Sequence, residues 1–457
     1  MTKRREFIRQ GLVGTAGIAI GGAGFSARSY ASIIGSNDRI NVAVIGIRGQ
    51  GELHINRYAS LKENRNVRIL TLCDTDEQYF NERANLAEKL TGHRPGVEWD
   101  LRKVFDNKDI HAVSFATPNH WHALGTIWAC QAGKHVYVEK PACHNVFEGE
   151  KMVEAARKYD VRVQVGFQNR SIRPVMEAIA FLREGGIGQV FMARGLCLKP
   201  RDSFGIAADS QPPASLHYDR WLGPAPWRPY NEKRVHYNWH WHWDTGNGDT
   251  GNQGPHQFDI ARWGLGQNEH PETIYSSGGI YGISPDECSQ ETPNTQSSLF
   301  RYSNGQVIQF ETRGRFTNPE GRLNITIGNI FYGTEGYLEI NASTWKAWRK
   351  REKEPFAGSD MPAATSAVQG SYLAAPGGAE HYANFIDAIR SGRDADLTSP
   401  VTEGVLSSAL PHLANIAYRV GRELKFVGSH SRFVNAPEAD LLLTRKYREP
   451  YVVPEMV

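Results

Sequence analysis

Between residues 40 and 167, short runs of β-branched and apolar residues alternate with longer amphipathic stretches. "NVAVIG" (41–46), "VRILTLCD" (67–74), "AVSFAT" (112–117), "VYVEK" (136–140) and "RVQVGF" (162–167) are short and nearly continuous in apolar character, so they read as buried strands. "ELHINRYASLKEN", "HWHALGTIWACQAG" and "FEGEKMVEAARKY" lie between them with helical spacing, the second closed by Gly133. This alternation predicts a doubly wound parallel sheet whose ligands sit at the carboxyl ends of its strands. Thr117, Asn119, His120 and His122 stand at one such end and Lys140 at the next. Pro141 biases Lys140 toward extended geometry, which fixes its amine at a strand end.

Past residue 188 the pattern changes. "VFMARGLCL" (190–198) and "SSLFRYSNGQVIQFETRG" (297–314) read as strands, the latter a hairpin turned at Asn304-Gly305. "LNITIGNIFYGTEGYLEI" (323–340) reads as another pair, and 380–392 and 403–424 as helices. Residues 355–378 read as a long surface loop and 428–457 as a C-terminal tail. In "VHYNWHWHWD" (235–244), alternation places His236, His240 and His242 on one face of a strand. Metal binding, stacking of the interleaved tryptophans on a sugar, and plain packing all remain open for this stretch.

The length of 457 residues implies two domains plus appendages, expected at 38–167 and 168–427. A hydrophobic fraction of 40% suits a soluble α/β protein rather than a disordered chain. Five cysteines without paired spacing argue against a disulfide scaffold or a zinc ribbon. Residues 1–31 resemble a twin-arginine signal: Arg4-Arg5, Phe7-Ile8, a weakly apolar glycine-rich run, then small residues before Ser32. The run is too short for a spanning helix. Export to the periplasm, with no stable membrane span after processing, is the expectation. That segment carries a net +4 of the whole-chain +3, leaving about −1 for the rest. No nucleic-acid partner follows from the charge.

"GIRGQG" (46–51) follows the first strand and opens a helix, the arrangement that seats a pyrophosphate on a helix N-terminus. Gly46 and Gly51 fill the first and third positions of the fingerprint. Arg48 stands where the second glycine is expected, and Gly49 is placed to supply the close approach instead. Asp74 ends the second strand, where a carboxylate accepts ribose hydroxyls and repels a 2′-phosphate. NAD is therefore expected in preference to NADP.

Taken in order, "GIRGQG", "CDTD" (73–76), "ATPNHWH" (116–122), "VEKP" (138–141) and "GNQGPHQFDIARW" (251–263) resemble the Gfo/Idh/MocA family of nicotinamide-dependent oxidoreductases. The resemblance spans about residues 38–427. It implies an N-terminal Rossmann domain and a C-terminal α/β domain with an open, largely antiparallel sheet, often used for homo-oligomerisation. It also implies that Lys140 is catalytic and His256 the general acid/base, with Glu139 beside the cofactor. Many members place an aspartate four residues before that histidine, but here the position is Asn252. Asp249 or Asp259 is then a candidate substitute. Arg170 and Gln168 are candidates for cofactor or substrate, and Trp241 and Asp259 for substrate. Three functions follow: a sugar oxidoreductase, a redox-neutral glycosidase that oxidises, eliminates and reduces in turn, or a non-catalytic sugar- or cofactor-binding protein.

Overall fold

The parity of the strands explains how the first sheet is covered. Val42 and Val44 of β1 (Ile40–Ile45) enter one apolar cluster, while Ala43 and Ile45 enter another. Both faces of the strand are therefore buried, as a parallel sheet requires. In the computed structural model, which describes residues 38–360 and 378–457, this sheet has six strands. They are β1, β2 (Val67–Cys73), β3 (Gly96–Glu98), β4 (Ala112–Phe115), β5 (His135–Val138) and β6 (Val163–Val165), ordered β3-β2-β1-β4-β5-β6 and parallel throughout. The order reverses between β1 and β4, so the crevice at their carboxyl ends is the expected ligand site. The export-type stretch lies outside the described residues.

One face of this sheet is covered by the helices Gly49–Ser60, Phe80–Thr91 and Gly378–Ser391, through residues such as Ile55, Ala84 and Phe385. The opposite face receives Asn119–Gln131 and Val146–Lys158 through Leu124, Ile127 and Met152. Helix Val401–Val420 lends Val401 and Val405 to the same cluster, whereas its Leu410, Leu413 and Ala417 join the core of the second sheet.

The second sheet has ten strands in the order β14-β13-β12-β11-β7-β10-β9-β8-β15-β16. These are β7 (Val190–Cys197), β8 (Thr273–Gly279), β9 (Thr295–Arg301), β10 (Val307–Arg313), β11 (Ile327–Gly333), β12 (Tyr337–Ile340), β13 (Thr344–Trp348), β14 (Ala357–Asp360), β15 (Leu424–Val427) and β16 (Arg432–Phe433). Only β7 and β10 pair in parallel; the other pairings are antiparallel. The fold class is thus the expected one, a Rossmann sheet beside an open and largely antiparallel sheet. Gly305, at φ 83°, closes the β9–β10 hairpin.

Helix Gly254–Leu265 lies on this sheet with Phe258 buried against Phe300 and Phe310. Gly195 permits that approach: a Cβ there would stand 2.9 Å from the Gln257 Cβ. Two sequence expectations change. Ala357–Asp360 of the expected loop is an edge strand, and residues 361–377 lie outside the described residues. The carboxyl-terminal segment is docked, with Tyr451 buried against Trp121 and Trp128. Among the described residues no helix is long and apolar enough to cross a membrane.

Candidate active site

Gly46 leaves β1 at φ +82°, and a Cβ there would lie 2.8 Å from the Ala116 carbonyl carbon and the Thr117 nitrogen. No larger residue passes between β1 and β4 in that conformation. The chain then enters helix Gly49–Ser60, whose preceding residue Arg48 gives no side-chain cap. First-turn N–H groups are left to a ligand, the usual basis of anion binding at a helix start. A Cβ on Gly49 would meet nothing within 4 Å, so the backbone there is open to close approach. Gly51 has a different job from the one expected: its Cβ would fall 1.8 Å from the Gly46 oxygen. It allows the helix to pack on the turn and does not line the cavity.

Asp74 accepts hydrogen bonds from the Ile47 amide at 2.8 Å and the Asp76 amide at 3.0 Å. Burial pushes its carboxyl up to about 6, against the pull of these donors. Gly46, Arg48, Gly49 and Asp74 face a cavity of about 480 Å³, which Lys140, Asn252 and His256 also line. Thr117, Asn119, His122 and Glu139 line it between these groups. Asn119 is tied across to Asn247 at 2.9 Å. His122 has its ring nitrogens against the Pro141 and Thr117 carbonyls at 2.7 and 2.9 Å, so it braces the Lys140–Pro141 turn against β4.

The Lys140 Nζ donates to the Asn252 backbone carbonyl at 3.0 Å and lies 3.5 Å from its side-chain oxygen. Burial lowers the ammonium's pKa, with Glu139 opposing. Glu139 is gripped by Gln50 at 3.0 Å, Gln168 at 2.8 Å and His54 at 3.2 Å. Burial alone would raise its carboxyl, but His54, then Lys140 and His256, carry it down to about 2. His256 projects from the start of helix Gly254–Leu265 with Phe167 edge-on at 6.0 Å. Burial, then the Lys140 charge, holds its imidazole at about 3, so it is neutral at physiological pH. A neutral imidazole and an amine of lowered basicity in one cavity can exchange a proton with a hydroxyl between them.

The profile of the Gfo/Idh/MocA oxidoreductases, NAD-binding Rossmann fold, matches residues 40–167, and that of the family's C-terminal α/β domain matches 206–278 and 356–453. The chain belongs to the Gfo/Idh/MocA oxidoreductase family. Levoglucosan dehydrogenase of Pseudarthrobacter phenanthrenivorans is 28% identical over 53% of this chain and 58% of its own length. A glycosyl hydrolase family 109 protein of Shewanella baltica is 24% identical over 41% of this chain and 44% of its own. The chain thus spans about half the length of the curated relatives it matches. Among solved structures, levoglucosan dehydrogenase in complex with NADH and levoglucosan superposes with a TM-score of 0.64 at 21% identity, covering 85% of this chain and 99% of that one. The aldose-aldose oxidoreductase of Caulobacter crescentus gives 0.62 at 17% identity, over 85% and 100%. These likenesses show the shared fold. The cofactor of the Gfo/Idh/MocA Rossmann domain is NAD, and the open Gly49 backbone, the uncapped helix start and Asp74 fit it.

The chain of this family member returns over the site after β7. His217 donates its amide to the Thr75 carbonyl at 2.8 Å, Glu77 donates to Ser215 at 3.0 Å, and the His217 ring stacks on Trp99 at 4.2 Å. Residues His236–Trp241 then form a 3₁₀ turn, not the expected strand. His236 sits at φ 53°, and Trp239 and His240 stack at 3.6 Å, which breaks the alternation. His236, Tyr237, Trp239 and His240 consequently line the cavity, while His242 is buried behind them. Trp241, expected at the substrate, does not line this cavity and is packed on Phe204 beneath the Arg201 guanidinium. Among the described residues no group of three or more His, Cys, Asp or Glu could hold a metal ion.

Arg170, Asp259 and Asp249 stand outside the lining of this cavity. Arg170 and Asp259 form a buried two-bonded ion pair, 2.8 Å on each arm, with Ser407 also donating to Asp259. Asp249 is likewise occupied by Arg201 at 2.6 Å, so arginines engage both carboxylates proposed to stand in for the missing aspartate. Sequence reading missed Gln50, His54 and Lys199. Gln50 lay inside the glycine turn, but nothing local marked Lys199, or His54, whose partners Ser114 and Glu139 are distant in the chain.

Proposed function

We propose that this chain is an NAD-dependent oxidoreductase of a sugar or sugar derivative. The observation that carries the reading is that the Lys140 amine and the His256 imidazole share one cavity with the glycine turn and Asp74. NAD, when bound, accepts hydride from the carbinol carbon. Lys140, held by Asn252, orients the sugar hydroxyl and withdraws its proton, and neutral His256 is placed to receive or return one. Tyr237, Trp239 and Trp221 offer aromatic faces of the kind that pack on sugar rings. Asn252 orients Lys140 through carbonyl groups and adds no charge.

The glycosyl hydrolase family 109 relatives favour a second reading, glycoside cleavage with no net redox change. Residues 1–31 support twin-arginine export to the periplasm, where no dependable nicotinamide pool exists, so the cofactor would be loaded before export and kept. Self-association would use the outer face of the ten-stranded sheet, where Tyr275 and Leu299 are paired in register and exposed.

The test is product analysis over a panel of free sugars and glycosides with the nicotinamide absorbance followed throughout. A keto-sugar with lasting absorbance supports net oxidation, and a released aglycone with only transient absorbance supports the glycosidase. Binding of sugars without either change would leave a non-catalytic binding protein.

A further inference from the structure

We propose that the sugar taken by this site bears an anionic substituent, a carboxylate or a phosphate ester, received by Lys199; this rests on the sugar-oxidation reading. Gly195 and Cys197 of β7 face the helix that carries His256, as the 2.9 Å approach of a Gly195 Cβ to Gln257 shows. Two residues beyond Cys197, just past the end of β7, Lys199 lines the same cavity as Lys140 and His256. Arg201, two residues further, is neutralised by Asp249 at 2.6 Å, whereas Lys199 has no such carboxylate partner among the described residues.

The counter-charge at the reaction end, Glu139, acts on Lys140 and forms no ion pair with Lys199. Lys140 rests on the amide and carbonyl of Asn252, not on a carboxylate. Glu139 is already bound by Gln50, Gln168 and His54. His240, stacked on Trp239, is kept neutral by burial. Lys199 and Lys140 line one cavity, and an anionic substituent there pairs with the Lys199 charge that no carboxylate meets. A neutral sugar leaves Lys199 unpaired.

The experiment compares a methyl glucoside, the corresponding uronide and the corresponding phosphate ester on the purified holoprotein. It records kcat/KM from nicotinamide absorbance and binding by calorimetry, for the wild type, Lys199→Gln and Lys199→Arg. The expected result is at least about a tenfold preference for an anionic member in the wild type, the scale of one charge-assisted hydrogen bond. That preference should be kept in Lys199→Arg and reduced to within about threefold of unity in Lys199→Gln. Which anionic member leads distinguishes carboxylate from phosphate. A wild type that prefers the glucoside, or a preference surviving in Lys199→Gln, overturns the proposal. If no sugar reduces the nicotinamide, the oxidation reading fails separately, and calorimetry decides. Anion binding lost in Lys199→Gln supports the inference, and equal or absent binding overturns it.

Discussion

The Lys140 ammonium donates to the main-chain carbonyl of Asn252 at 3.0 Å, joining the end of the Rossmann strand β5 to the short helix Gly248–Asn252 that precedes the His256 helix. A main-chain acceptor orients the amine without fixing its charge. The reactive group is thus positioned by one sheet's strand end and by the short helix that leads into the His256 helix on the other sheet.

Replacing Lys140 by Met should leave NAD bound, because Asp74 and the glycine turn are untouched. Turnover should fall by about a hundredfold or more, the usual contribution of one acid/base group. Steady-state rates together with cofactor content measured after denaturation check this, and near-normal rates would remove Lys140 from the chemistry.

The pH profile should show a single rising limb. Lys140 acts in its deprotonated form, and burial lowers its pKa below 10.5, so kcat/KM rises as pH passes through the lowered value. His256, at about 3, contributes no limb near neutrality. Asn252→Asp should move the limb to higher pH, since a carboxylate beside the ammonium favours its charged form. Rate profiles of both proteins test this; an unmoved limb in Asn252→Asp would mean that another group titrates.

Much of this site was legible because its motifs are local. The glycine turn, Asp74, Lys140 and His256 each sit beside a strand end or a helix start that short-range pattern reveals. What was not legible has another cause. Arg170, Asp259 and Asp249 were candidates for the site, and the pairing that engages them was hidden because it spans 89 residues in one case and 48 in the other. The "HYNWHW" stretch alternates as a strand does, yet tertiary packing winds it into a turn, which exchanges Trp241 for Trp239 at the cavity.

Asp259→Ala should therefore act on stability. Removing the carboxylate leaves the buried Arg170 with Glu403, at 3.3 Å and partly exposed, as its acidic partner, a change that costs at most about the 3–5 kcal/mol of a fully broken buried pair. Urea unfolding reads this loss, and a stable variant with a raised KM would restore Asp259 to the substrate site.

Asp74→Ala should weaken NAD and relax discrimination against NADP, since hydroxyl acceptor and repelling charge disappear together. Titration of both nucleotides into cofactor-stripped protein gives the ratio. An unchanged ratio would place the discrimination elsewhere.

Acid should loosen the fold through its buried histidines. His120, His256, His381 and His412 are held at about 3 to 4 against 6.5, so the folded state disfavours their protonation. The stability they contribute is complete above pH 6.5 and declines as pH falls toward 3–4. Thermal melts across this range should show the decline, and a flat profile would contradict the buried, neutral state of these rings.

The most direct test of sugar oxidation on a retained NAD is a single-turnover experiment on protein purified without added cofactor. A portion is denatured to count its nicotinamide, and the remainder is mixed with saturating sugar or glycoside while the near-ultraviolet absorbance is followed. The expected result is near-stoichiometric NAD, reduced within the first turnover in the wild type and far more slowly in Lys140→Met. Sugar that binds and is converted with no change in the nicotinamide, lasting or transient, would contradict the account.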